Sequence, residues 1–103
     1  PAVAMDLVRE GGIVTVRCKA QVSGLGDLRV MVARYMPKAE VEIARGENAG
    51  RTLTYHHVVT NLTEIDRWDS TGSRTINFEG EGPLVVFVQR REDGAIVAAG
   101  RID

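Results

Sequence analysis

One cysteine in 103 residues rules out an internal disulfide, so Cys18 supplies no crosslinked framework and says nothing firm about compartment. An excess of either charge is missing too. Thirteen Lys and Arg stand against 14 Asp and Glu, for a formal charge of -1. Proteins that follow a phosphate backbone or lie on anionic lipid need a cationic footprint, so neither nucleic acid nor a membrane surface is expected as a partner. Long apolar runs are absent: stretches such as 84–88 fall far short of the ~20 residues that cross a bilayer as a helix, and no membrane span is expected. The opening residues, from Pro1 to Met5, lack the charged-then-apolar order of a secretory leader. The expectation is a mature, processed or excised piece.

Glycine and alternating apolar residues are plentiful. With 44% apolar residues, a chain of this length folds as one compact domain over residues 1–103 and buries roughly two-thirds of its unfolded surface. Eleven glycines divide it into segments mostly too short for a helix, and what lies between them has period two. Val14, Val16, Cys18, Ala20 and Val22 alternate with Thr15, Arg17, Lys19 and Gln21, which predicts a strand with one apolar and one wet face over 14–22. Val3, Met5 and Leu7 precede it across Glu10-Gly11-Gly12, a hairpin signal. Residues 28–36 carry apolar side chains on both faces, as a central strand would, and Pro37 is expected to end that strand because it lacks a ladder donor. A further strand is predicted from Ala39, Val41 and Ile43, whose intervening Glu40 and Glu42 give an acidic outer face.

Residues 51–71 satisfy both templates: Val58, Leu62, Ile65 and Trp68 at helical spacing, and Leu53, Tyr55, His57 and Val59 at strand spacing. Branched residues decide for an extended chain, predicted as a strand over 52–63 with a bend or bulge leading into 65–68. Strands over 74–79 and 84–90, with Asp93-Gly94 turning into 95–102, complete the pattern. Seven or eight short strands predict an all-β fold, an antiparallel two-layer β-sandwich.

No reaction centre emerges. His56 and His57 are adjacent, so on a strand they point to opposite faces; they read as one packed and one solvated ring, and no metal is assigned. Ser23, Ser70 and Ser73 sit in turn contexts without a nucleophile elbow. Gly24-Leu25-Gly26 lacks the third glycine and the helix of a dinucleotide loop and reads as a turn. Cys18 reads as a small buried apolar residue, Trp68 as a plug between layers. The most distinctive stretch is 45–57, where Arg45, Glu47, Asn48, Arg51, Tyr55 and His57 cluster. Its bland reading is a loop fastened by arginines on Glu47; its functional reading is a small-molecule, anion or metal-binding site. These six are the candidate binding residues, with no catalytic residue and no cofactor.

Arg45-Gly46-Glu47-Asn48-Ala49-Gly50-Arg51-Thr52-Leu53-Thr54-Tyr55-His56-His57-Val58-Val59, then Trp68-Asp69 and Leu84-Val85-Val86-Phe87-Val88-Gln89, together resemble the C-terminal region of the DUF1223 family. These are bacterial proteins of unassigned function, generally exported. The resemblance spans about 31–102; where the family usually has asparagine before Val58-Val59, this chain has His57. Full-length members resemble a thioredoxin-like domain with paired cysteines followed by a β-rich domain, and only the second part is present here. The resemblance therefore implies the C-terminal part of a longer protein, in a periplasmic or secreted setting. Its partner would be the thioredoxin-like domain of the same protein, where any redox activity would lie. It implies nothing about oligomeric state.

Overall fold

The computed structural model describes the backbone of residues 1–42 and 52–103 and the side chains of 1–36 and 59–103. Among the described residues there is no helix. Seven strands follow in order: β1 (Val3–Glu10), β2 (Ile13–Ala20), β3 (Leu28–Glu42), β4 (Thr52–Trp68), β5 (Ser73–Glu79), β6 (Leu84–Arg90) and β7 (Ile96–Ile102). Pairing is antiparallel in two sheets, one ordered β1-β2-β5 and the other β4-β3-β6-β7. This is the all-β sandwich that the alternation predicts.

Gly11 and Gly12 both take positive φ, 56° and 80°, and join Glu10 to Ile13 in the two-residue turn that a right-twisted hairpin requires. From β2, Val14, Val16 and Cys18 reach the interior; Leu28, Val30 and Val32 of β3 and Leu84, Val86 and Val88 of β6 belong to the same core cluster. Leu25, between two positive-φ glycines, and Trp68 also join it. Burying one such Val or Leu contributes about 1.5–3 kcal/mol relative to leaving it in water.

Both margins of the sandwich are fastened. Arg74 on β5 donates from Nε and Nη2 to the Asp66 carboxylate on β4, at 2.7 and 3.0 Å, joining the two sheets. On the other margin β7 packs against β1. A Cβ at Gly100 would stand 2.8 Å from Leu7 Cδ1, so glycine permits this close approach.

Three predicted boundaries are corrected. Pro37 does not end a strand: β3 runs unbroken through it, uniting the two strands expected over 28–36 and 39–44, as far as the described residues go. The Tyr35 amide donates to the Pro83 carbonyl, away from β4, and strand alternation sends position 37 to the same side. Because β6 pairs with β3 only as far as Arg34↔Leu84, the missing proline donor falls on an edge that no described strand pairs with, where no ladder bond is lost. Likewise β4 is one strand to Trp68. Its register slips twice, between Asp66 and Glu64 and between Asn61 and Val59, leaving Ile65 and Thr60 as extra bulge residues. The strand predicted over 14–22 stops at Ala20.

Beyond Arg34, β3 and β4 continue as a two-stranded arm among the described residues, from Tyr35↔Val59 to Glu42↔Thr52. The radius of gyration, 17.1 Å, exceeds the ~13 Å of a compact domain this long.

Candidate functional site

Cross-strand partners share a face, so the register lays out the outer side of the four-stranded sheet residue by residue. Leu28, Val30 and Val32 point inward; Arg29, Met31, Ala33 and Tyr35 therefore point out. The row Leu62, Ala33, Val85, Arg101 crosses all four strands, and so does Glu64, Met31, Phe87, Ala99. Tyr35 and Val59 form a row at the base of the arm. At the far end stand Arg67, Arg29, Gln89 and Ile96. The middle of this face is apolar: Val59 and Leu62 are 60% and 59% exposed, and Met31, outside the core, is only 8% exposed between its outer-face neighbours.

The opposite sheet turns a polar side to solvent. Its rows are Ala4, Lys19, Ser73, then Asp6, Arg17, Thr75, then Val8, Thr15, Asn77, then Glu10, Ile13, Glu79; Val8 and Ile13 are its exposed large apolar side chains, and Thr15 Oγ1 lies 2.8 Å from Asn77 Oδ1 in a hydrogen bond. A sandwich standing alone would carry polar residues on both outer faces. Large apolar faces rimmed by polar residues are where proteins meet partners, membranes or ligands.

The rim is organised. Arg29 Nε donates to Gln89 Oε1 at 2.8 Å, and Glu64 holds both Arg67 and Arg91. On the β7 side, Asp103 Oδ1 accepts from Tyr35 Oη at 3.2 Å and pairs with Arg101 Nε at 3.1 Å. Beside this pair lies a hollow of about 250 Å³ lined by Ala33, Tyr35, Val59, Val85 and Arg101.

Other positions carry less chemistry. Arg45, Glu47, Asn48 and Arg51 lie outside the described residues; Tyr55 and His57 have their backbone in β4, two positions apart, and their side chains also lie outside the described set. Among the described residues no three His, Cys, Asp or Glu side chains come together as metal ligands. Cys18 is buried as expected, and burial, with the Asp66 charge adding to it, pushes its thiol up to about 11; a thiol held protonated is a poor nucleophile. Trp68 is 6% exposed and donates from Nε1 to the Thr71 carbonyl at 3.0 Å, the plug that the sequence suggests. A groove of about 560 Å³ beside it is lined by Arg67, Arg74 and Arg91. Asp27 and Asp69 line it as well, Glu64 pairs with Arg67 and Arg91, and Asp66 clasps Arg74, so its guanidiniums already have carboxylates beside them.

The apolar outer face is the feature that motif reading passes over. Its signal lay in the apolar residues on both sides of 28–36 and in the uninterrupted run at 84–88: strands buried on both faces need a layer on each.

The family model for DUF1223, a protein of unknown function, matches residues 1–97. The chain belongs to the DUF1223 family. The match takes in the first thirty residues, which the motif resemblance did not reach. Among solved structures, an X-ray crystal structure of a protein from Agrobacterium tumefaciens, a structural genomics target, is similar to this DUF1223 chain with a TM-score of 0.75 and 21% sequence identity. The alignment covers 98% of this chain and 46% of that one, so the chain spans less than half the length of that neighbour. No curated protein matches.

Proposed function

We propose that this DUF1223 chain is a noncatalytic accessory module, the C-terminal part of a longer polypeptide, that packs against a thioredoxin-like domain of the same protein in the periplasm or as a secreted protein. The observation that carries the reading is the apolar outer side of the β4-β3-β6-β7 sheet, opposed to a polar outer side on the other sheet. The greater length of the Agrobacterium tumefaciens neighbour supports a covering layer drawn from elsewhere in the polypeptide. The family resemblance supports the identity of that layer and the exported setting. The role is then to complete and shape the partner domain's surface, with dithiol chemistry left to the partner.

Two measurements test this. Residues 1–103 alone should bind an apolar fluorescent dye and show no dithiol oxidase or reductase activity, whereas the longer polypeptide should bind little dye. Thiol turnover by residues 1–103 would end the reading, and so would equal dye binding by the two proteins.

A further inference from the structure

The hollow beside Ala33 narrows what the covering layer must present, and the inference rests on the docking reading above. Its floor is small, Ala33 with Val85 beside it, and its walls are larger, Tyr35 and Val59. At about 250 Å³ it falls below the ~300–1,000 Å³ of sites that enclose a whole small molecule, but it is large enough for a bulky side chain. Interfaces concentrate their binding energy where one such anchor fills such a pocket.

Arg101 forms one lip, with the Tyr35 hydroxyl near it, and both hold the same oxygen of Asp103. The molecule thus already places a carboxylate at the edge of the apolar hollow. Arg101 and Asp103 are 61% and 79% exposed, and an ion pair so open to water is held weakly, so an incoming carboxylate can replace Asp103. A carboxylate is also what a planar guanidinium beside a hydroxyl recognises best.

We propose that the hollow is the anchor site for the partner domain, receiving one large apolar side chain presented next to a carboxylate, with Arg101 and Tyr35 gripping the carboxylate in place of Asp103.

The test is an NMR titration of the 103-residue chain with N-acetyl-phenylalanyl-aspartyl amide and its asparaginyl counterpart at millimolar concentration. The aspartyl compound should shift the methyl resonances of Ala33, Val59 and Val85 and bind severalfold more tightly than the asparaginyl one. Asp103→Asn should strengthen aspartyl binding by freeing Arg101. Arg101→Gln should erase the preference while keeping the apolar shifts. Unmoved hollow resonances, or equal binding of the two compounds by the unaltered chain, would overturn the proposal. Either result leaves the wider docking reading to stand or fall on the dye and activity measurements.

Discussion

Cys18 shows how a single position can be read correctly from its neighbours and still acquire a property only the fold supplies. Alternation places it on the apolar side of β2, and it is 2% exposed. Burial, and then the Asp66 charge, raises its thiol from 9.0 to about 11. The unfolded thiol ionises near the lower value and the folded thiol near the higher, so the native state binds more protons between them and loses stability as pH rises through that window. Urea unfolding should therefore show a decline from about pH 9 to about pH 11 that is shallower in Cys18→Ala; an identical decline in the variant would contradict a buried, protonated thiol. Asp103 is the contrary case. Its sequence context offers only Arg101, two residues before it, as a partner, yet the fold brings Tyr35 of β3, remote in the chain, to the same carboxylate.

At the scale of the element, Pro37 is the instructive residue. A proline reads as a stop because a central strand needs its donor, and over 28–34 the strand is central, with β4 on one side and β6 on the other. Three residues later β6 has ended, and the same strand has an edge that no described strand pairs with, on which a proline is tolerated and useful. Exposed edges invite pairing with other chains, and proline is one of the devices that blunts them; the bulges at Thr60 and Ile65 interrupt the outer edge of β4 in the same way. Pro37→Val restores a donor on the side of β3 away from β4. It should leave thermal stability nearly unchanged but raise the weight-average mass in sedimentation towards that of a dimer or higher species as concentration increases. A variant that stays monomeric at all concentrations would show that the proline does not guard this edge. The bend expected near 64 was legible because helical and strand spacing compete there. The arm was not, since its length depends on where β6 stops.

Taken whole, the molecule is two sheets fastened at their margins. The Arg74 bond holds the Asp66 carboxyl below its ordinary value of 3.8, outweighing the upward push of burial. That clasp contributes stability above the unfolded carboxylate range and loses it as pH falls through the folded value. Arg74→Gln should therefore lower the melting temperature modestly at neutral pH, and the gap to the unaltered protein should narrow as pH falls below the ordinary carboxylate value. A gap independent of pH would assign the effect of Arg74 to packing rather than to charge.

The sequence by itself determined the class of object: a period-two pattern broken by glycines can bury its apolar side only as paired strands, and the strand count and most boundaries follow from that. It also left the stretch 45–57 as its most distinctive feature, with Arg45, Glu47, Asn48, Arg51, Tyr55 and His57 as candidates on composition alone. Only the tertiary structure decided which apolar residues face the core and which face outward. Period two assigns two sides to every strand but does not say which of them another sheet covers. Register settles that by lining up Leu62, Ala33 and Val85, and then Met31 and Phe87, across strands distant in sequence, so that scattered apolar residues become one surface.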